Sequence, residues 1–357
     1  MIHVTRMVEQ SEGKILLQGL AFLNSEEFPE PVLLIARFQE GGEVDLTFGN
    51  QGLMRHDLPA DRYKFLAYLS GDLHVLPNGK ILACNTSVTY EDHESKEALE
   101  RALIYRLTSA GELDTSFNGT GFLELGVPLS TPNASLRVTR LYAQPNGKII
   151  LVGQLTAVED RYSRGFIARL DNRGQVDNTF GPVGNGFFEF SLDGYSVEVN
   201  AVASNSRGSI VWGGIASALE VPDLGLQDQG FIIALTADGV LESGFNGGNL
   251  MITQISEEYT VQWVSARFQP DEKLLVTGRS RSERFDSYLY IARYNVDGTA
   301  DVLFGDQGNG RVDIPTGGNT NLPIEMQLQM DKRIVAGLNG TSLNKGILWR
   351  LLNDQDE

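Results

Sequence analysis

Two loops of opposite charge carry the side chains best suited to binding chemistry. Residues 85–101 include five acidic and two basic residues, whereas residues 279–288 include three basic and two acidic ones. Guanidinium groups bind carboxylates and phosphates through paired hydrogen bonds, so the basic loop predicts a site for an anionic group. The alternative is that both loops are ordinary solvated segments. The residues assigned to this ligand site are Arg279, Arg281, Arg284, Tyr90, Asp92, His93 and Trp263.

A second set of polar side chains lies in strand-like segments that precede tight turns. The residue types at these positions differ from copy to copy, and a single channel site requires such differences. The alternative is that these side chains form structural ion pairs. A hydrolase or lactonase would need several carboxylate, Asn or His side chains to converge around a metal ion. Only Asp72, His74 and Glu325 offer this. The whole set consists of Arg6, Asp72, His74, Arg140, Arg267 and Glu325.

Sequence motifs of established chemistry are absent. The chain has neither a Gly-x-Ser-x-Gly elbow nor a Walker phosphate loop, and its four histidines lack zinc spacing. Residues 295–301 have a spacing like that of a calcium loop, but Asp301 belongs to a repeated turn and no bidentate Glu follows. We therefore predict no catalytic residue, no metal site and no cofactor, with calcium at residues 295–301 as the alternative.

An internal repeat sets the elements that must position these residues. A turn of the Pro-Asn-Gly type precedes an apolar run, and the first apolar residue falls at positions 15, 81, 149, 210, 274 and 334. The period of about 64 residues exceeds the roughly 40–45 residues of common propeller blades, and the excess fits long loops. Each period contains four strand-like runs, a to d, and the Asn-Gly turn is typical of the a–b hairpin.

A second signature lies between strands c and d. Phe follows an acidic residue by three positions in five copies, at Asp45, Asp114, Asp177, Glu242 and Asp301. An arginine precedes the acid by eight positions in four copies, at Arg37, Arg106, Arg169 and Arg293. In the fourth copy we align Leu235 with the arginine, seven positions before Glu242. Because these residues repeat, we predict an Arg–Asp pair and a Phe plug that build the scaffold rather than a site.

These patterns predict an all-β fold, a six-bladed β-propeller of four-stranded antiparallel blades. The sixth copy ends after strand c, so we predict a three-stranded last blade whose edge the acidic tail 353–357 protects. The a–b and c–d turns share one end of each blade, the standardised face; the b–c loops and d–a links share the other, the variable face. We expect one domain over 1–357, with repeats at 1–59, 60–127, 128–191, 192–254, 255–315 and 316–357.

The repeat resembles a known bacterial family. The runs Gln144–Ile150, Ile167–Leu170 and Asp177–Gly181 look like the delta-60 repeat, an uncharacterised β-propeller repeat, and the strand phasing is similar to that of NHL repeats. The resemblance covers nearly the whole chain. It implies a propeller and carries over no catalytic residues.

The net charge of the chain disfavours some classes of binding partner. A net charge of −17 and a pI near 4.7 disfavour nucleic acid and anionic membrane surfaces, which attract Lys and Arg. The N-terminus lacks the basic and apolar regions of a secretory signal, and no run reaches the roughly 18 apolar residues of a membrane span. We expect a monomer without membrane insertion, either cytoplasmic or exported without a cleaved signal.

Copy-to-copy differences concentrate on the variable face, where binding residues of a rigid scaffold usually lie. With no catalytic motif, these differences favour a non-catalytic binding or scaffolding module that recognises a protein or glycan partner there. The alternative is a metal-dependent hydrolase or lactonase with its site at the channel mouth.

Overall fold

A computed structural model describes most of the chain. The described residues are 2–21, 32–59, 62–66, 71–90, 98–126, 134–157, 160, 162–218, 228–253, 255, 259–282, 287–305, 307–315, 325–328, 333–340 and 345–351. The chain divides into two compact units, Met1–Glu189 and Phe190–Glu357, which are described separately. That the chain forms one domain stays a prediction.

The first unit contains three antiparallel sheets, here called blades one to three. Blade one has β1 (Ile2–Glu9), β2 (Ile15–Ala21), β3 (Val32–Phe38) and β4 (Leu53–Asp57), with a 3₁₀ turn at Ser11–Gly13. Blade two has β5 (Tyr63–Leu66), β6 (Asp72–Val75), β7 (Ile81–Tyr90), β8 (Ala98–Leu107) and β9 (Phe122–Glu124). Blade three has β10 (Ala134–Ala143), β11 (Ile149–Ala157), β12 (Arg164–Leu170) and β13 (Phe187–Phe190), whose last residue falls at the unit boundary.

The second unit contains blades four to six. Blade four has β14 (Tyr195–Ser204), β15 (Ile210–Ala218), β16 (Gln229–Leu235) and β17 (Met251–Thr253), with a 3₁₀ turn at Asn246–Gly248. Blade five has β18 (Tyr259–Phe268), β19 (Leu274–Ser282), β20 (Ser287–Tyr294) and β21 (Arg311–Pro315). Blade six has three strands among the described residues, β22 (Glu325–Leu328), β23 (Ile334–Gly340) and β24 (Lys345–Leu351). The predicted fold class, a six-bladed β-propeller with a three-stranded last blade, is confirmed.

A β-bulge in strand a explains the glycine that ends each Ile-Leu-Val run. In blades one, three, four and five the a–b register shifts by one residue next to a strand b glycine, at Gly19, Gly153, Gly214 and Gly278. A Cβ built on Gly153 would lie 1.8 Å from the Arg137 carbonyl oxygen. A side chain there would therefore push the bulged strand away.

Blade two departs from this rule. Asn85, fully buried, occupies the position of the glycine, and strand a is divided into β5 and β6, which both pair with β7. Residues 67–70, between the two pieces, lie outside the described part. The loss of the glycine and the division of strand a thus coincide in one blade.

The predicted Arg–Asp pair is confirmed and a lysine completes it. The Arg Nε to Asp Oδ2 distances are 2.8, 2.6, 2.7 and 2.7 Å for Arg37–Asp45, Arg106–Asp114, Arg169–Asp177 and Arg293–Asp301. The lysine before strand b brings its Nζ to the same oxygen at 3.3, 2.8, 2.7 and 2.8 Å, for Lys14, Lys80, Lys148 and Lys273. We call this Lys–Asp–Arg arrangement the cation group. Its carboxylates are almost wholly buried, so each needs its cations.

The fourth copy corrects our alignment. Val211 pairs with Ala234, as Ile150 pairs with Arg169, and the amide of Glu242 donates to the Ala234 carbonyl at 2.9 Å. Ala234, rather than Leu235, therefore stands in the arginine position, and the spacing to the acid is eight residues as in the other copies. The error arose because the side chain that marks the position is absent.

The repeated phenylalanine packs between blades, as predicted. All five are buried, with 0–5% exposure, at Phe48, Phe117, Phe180, Phe245 and Phe304. A Cβ built on Gly174, in the c–d turn of blade three, would lie 2.6 Å from the Phe117 ring. A Cβ built on Gly111, in the c–d turn of blade two, would lie 2.8 Å from the Phe48 ring. Backbone hydrogen bonds join the same turns, from Gly49, Asn118 and Asn246 to the carbonyls of Ala110, Arg173 and Asp297, at 2.7, 2.7 and 2.8 Å.

Candidate functional site

The predicted channel residues Arg6 and Asp72 form an ion pair. Arg6 Nε lies 2.6 Å from Asp72 Oδ1, and the Leu141 amide donates to Asp72 Oδ2 at 3.1 Å. Burial raises the pKa of Asp72, but the charges of Arg6 and Arg140 outweigh this and hold it below its ordinary value. Asp72 thus links strands a of blades one, two and three as an ionised, buried carboxylate.

The other channel residues are less closely associated. The His74 ring lies 6.3 Å from the Tyr142 ring, and Arg267 donates to the carbonyl of its neighbour Ala266 at 2.8 Å. Glu325 begins β22, but its side chain is not described. Within the described residues, no group of three or more His, Cys, Asp or Glu side chains could hold a metal ion.

Four of the seven predicted ligand-binding residues lie in strands, and the other three lie outside the described part of the chain. Arg279 lies in β19, and its Nε donates to Gln262 Oε1 at 2.9 Å. Trp263 is 1% exposed and its indole donates to Thr253 Oγ1 at 2.7 Å, so its ring lies in the core of blades four and five. Tyr90 and Arg281 lie in β7 and β19, with side chains not described, and Arg284, Asp92 and His93 lie outside the described residues.

Our sequence reasoning missed a charged cluster on the variable face of blade two. Tyr63 begins strand a and Glu124 ends strand d, and the Tyr63 hydroxyl donates to Glu124 Oε2 at 2.5 Å. Arg62 Nη2 reaches the same oxygen at 2.7 Å, and Arg101 Nε lies 3.8 Å from Oε1. We call Arg62, Tyr63, Arg101 and Glu124 the Tyr63–Glu124 cluster. Burial, followed by the hydrogen bond to Glu124, raises the pKa of Tyr63 well above its ordinary value.

A second carboxylate lies at the same end of the blade. Glu100 accepts from Arg137 Nε of blade three at 3.0 Å to each oxygen. Side chains of Glu100 and Glu124 are 21% and 20% exposed, and those of Arg137 and Arg62 are 43% and 60% exposed. Glu100 and Glu124 therefore lie at the same end of blade two, each with partial solvent access, but on opposite faces of its sheet: Glu100 faces blade three and Glu124 faces blade one.

Blade three provides an internal reference for the Tyr63–Glu124 cluster. The amides of Arg106 and Arg169 donate to the carbonyls of Gly121 and Gly186, which places Glu189 in the position of Glu124. Arg164 contacts Glu189 at 3.5 Å, but the position of Tyr63 is taken by Ala134. The phenol therefore distinguishes blade two from blade three, whereas Tyr195 and Tyr259 take the same position in blades four and five. Only a comparison of strand ends across copies could have found it from sequence.

Comparisons with known proteins show the fold. A β-propeller domain of unknown function (DUF5122) matches residues 144–180 and 269–304, so these two segments are similar to a propeller repeat. No curated protein matches the chain. Among the described residues, no helix has the length and apolar character to cross a membrane.

Three solved structures illustrate the likeness. A protein of unknown function from Dyadobacter fermentans is 13% identical with a TM-score of 0.53, over 94% of this chain and 90% of that one. An α-L-arabinanase from Penicillium chrysogenum, solved with arabinobiose, is 12% identical with a TM-score of 0.53, over 98% and 93%. An ulvan lyase of a polysaccharide lyase family is 10% identical with a TM-score of 0.52, over 96% and 78%.

These comparisons correct the predicted function. We predicted a non-catalytic binding or scaffolding module rather than an enzyme, because catalytic motifs are absent. The structural neighbours include propeller enzymes that process carbohydrates, the arabinanase and the ulvan lyase among them. Local motifs are a poor guide here because catalytic groups on a propeller come from separate blades and meet only in the fold.

Proposed function

We propose that this protein is a carbohydrate-active enzyme whose reaction site lies on the variable face of blade two, at the Tyr63–Glu124 cluster. The observation that carries the proposal is the Glu124 carboxylate, held 2.5 Å from the Tyr63 hydroxyl and beside Arg62 and Arg101. The likeness to an arabinanase and an ulvan lyase supports a polysaccharide as the substrate class.

Proton transfer is the role that we assign to Glu124. Hydrolysis of a glycosidic bond uses a pair of carboxylates, and elimination also needs a group that takes a proton from the sugar. Glu124 is the carboxylate to which we assign this role, and Glu100 is the other carboxylate at this end of blade two, on the opposite face of the sheet. Tyr63 and Arg101 act as positioning residues, because both contact Glu124 from within the blade, whereas the exposed guanidinium groups of Arg62 and Arg137 face incoming substrate.

We also propose that the repeats of this chain are delta-60 repeats. The signatures around Asn146-Gly147 and Asp177…Phe180 support the delta-60 repeat, and the two matched segments, 144–180 and 269–304, span these signatures in blades three and five. A profile built only from delta-60 repeats should align with all six strand b starts. Alignment with blades three and five alone would contradict the assignment.

The test is activity on a panel of polysaccharides that includes arabinan and ulvan. Hydrolysis is followed by new reducing ends and elimination by the ultraviolet absorbance of the unsaturated product. Glu124→Gln should lower activity by about 100-fold or more, the usual contribution of a proton-transfer group. Tyr63→Phe should lower it less and shift the pH–rate profile, since the phenol hydrogen bond to Glu124 is lost.

Glu189→Gln is the matched control. It removes a carboxylate at the equivalent position of blade three, where Ala134 replaces the tyrosine, and should leave activity unchanged. Equal loss in Glu124→Gln and Glu189→Gln would contradict the assigned site. Absence of activity on every polysaccharide in folded wild-type protein would overturn the enzyme proposal.

A further inference from the structure

Blade four has lost both cations of the cation group. Ala234 and Ser209 stand where the other complete copies have Arg and Lys, and Glu242 stands in the place of Asp. Glu242 Oε1 still accepts from the Gly244 amide at 3.2 Å, as Asp177 Oδ1 accepts from the Thr179 amide at 3.1 Å. Among the described residues, Glu242 makes no ion pair.

A cavity of about 380 Å³ occupies the vacated position. Its lining includes Ala234, Glu242, Phe245, Phe268, Glu272 and Val296. This volume lies in the range of small-molecule sites, and the combination of apolar walls with a few polar groups is typical of them. The cavity opens on the standardised face of blades four and five.

The other blades show which group occupies the equivalent position, namely an arginine guanidinium. In blade one the Arg37 guanidinium lies 4.6 Å above the Phe48 ring, 2.8 Å from Asp45, and 2.6 Å from the carbonyl oxygen of Ser109 in the next blade. The ring contact recurs at 4.9, 4.6 and 4.6 Å for Arg106–Phe117, Arg169–Phe180 and Arg293–Phe304. A carboxylate, an aromatic face and a backbone carbonyl together form a guanidinium receptor.

Blade four retains all three parts of this receptor. Glu242 supplies the carboxylate and Phe245, 5% exposed, supplies the ring. The carbonyl is that of Val296, because Asn246 donates to Asp297 as Gly49 donates to Ala110, which aligns Val296 with Ser109. The chain therefore keeps the receptor and lacks the group that it receives.

We propose that this cavity binds a guanidinium group supplied from outside the chain. Local charge favours a cation, since Asp238, Glu242 and Glu272 line the cavity against a single arginine, Arg207. Arg207 is 62% exposed and reaches Glu272 at 3.5 Å, so it lies at the rim. The apolar walls formed by Phe268 and Leu274 accommodate an alkyl stem. The guanidinium comes either from a small metabolite or from an arginine side chain of a peptide.

Calorimetric titration with butylguanidinium, and with neutral butylurea as the isosteric control, tests this proposal. Wild-type protein should bind one butylguanidinium with at least 10-fold preference over butylurea. Glu242→Gln should weaken binding at least 10-fold, and Ala234→Arg should abolish it, because the chain then fills its own receptor. Glu112→Gln, an exposed carboxylate of the blade two turn, should have no effect.

A second titration with arginine capped at both ends distinguishes the two sources. Tighter binding of the capped residue than of butylguanidinium identifies a peptide arginine, and weaker binding identifies a small metabolite. Absence of saturable binding, equal binding of butylurea, or unchanged binding in folded Ala234→Arg would each overturn the proposal. None of these outcomes depends on the activity assigned to the variable face.

Discussion

The c–d turns of blades four and five have the same backbone and different interiors. In both, the amide of the acid donates to strand c at 2.9 Å, and the Phe amide donates to the acid at 3.0 Å in blade four and 2.9 Å in blade five. Blade five encloses Lys273, Asp301 and Arg293, whereas blade four encloses a cavity beside Glu242. The turn therefore forms without the cation group, whose role is to fill and neutralise the space behind it.

The two turns should differ most in the stability that is lost when a charged side chain of each is removed. Arg293→Ala leaves the Asp301 carboxylate, 4% exposed, with Lys273 alone, and should lower the free energy of unfolding by about 3 kcal/mol, the usual cost of breaking a buried pair. Glu242→Ala in blade four, which breaks no ion pair, should cost less than about 0.5 kcal/mol. Urea unfolding of both variants measures the two values, and similar losses would refute the comparison.

Acid stability should also separate the two kinds of turn. Burial raises the pKa of Asp177, but hydrogen bonds from Lys148 and Thr179 outweigh it and hold the pKa below its ordinary value. The stabilisation is present above the unfolded pKa of about 3.9 and is lost as the pH falls through the lower folded value. Asp177→Asn should therefore lose less stability than wild type between about pH 5 and pH 2.

Thermal unfolding at several pH values provides this measurement. Glu242→Gln is the blade four counterpart, and among the described residues it breaks no ion pair. A steeper acid loss in Asp177→Asn than in wild type would contradict the assigned linkage.

The smallest expected effect concerns the phenylalanine plug. Phe304→Leu and Phe245→Leu remove similar buried area, but Phe304 also lies under the Arg293 guanidinium at 4.6 Å. Phe304→Leu should therefore cost about 1 kcal/mol more than Phe245→Leu, within the range of a largely buried cation–π contact. In an Arg293→Ala background the two substitutions should lower the free energy of unfolding equally. A difference that persists there would come from packing rather than from the cation–π contact.

The repeat made most of the fold predictable because turn chemistry is local. All six positions chosen as strand b starts, from Ile15 to Ile334, begin strands in the structure. The fourth c–d turn was misaligned because its landmarks are side chains, whereas its register is set by the pairing of Val211 with Ala234. The division of strand a in blade two coincides with Asn85 in place of glycine and with five residues between Leu66 and Asp72 opposite two on β7. The role of that glycine is visible only in the β-bulge of the other blades.

The candidate site was not predictable in the same way. Tyr63 and Glu124 are 61 residues apart, on strands that do not pair with each other, and neither lies in a loop of unusual composition. The predicted ligand site, which includes Asp92 and Arg284, was based on loop charge. Charged residues are as typical of solvent-exposed segments as of binding sites. Convergence of these strand ends depends on the pairing of the strands that lie between them in blade two, and no short segment of sequence encodes it.

The backbone hydrogen bonds between successive c–d turns have a consequence for the history of the gene. Peptide groups from Gly49, Asn118 and Asn246 make these contacts, and almost every substitution preserves a peptide N–H and C=O. A repeat copied by unequal recombination therefore arrives already able to dock onto its neighbour, before any side chain has adapted. Copies can then diverge freely, and one that loses its own arginine, as blade four has, can acquire a new task while the array remains intact.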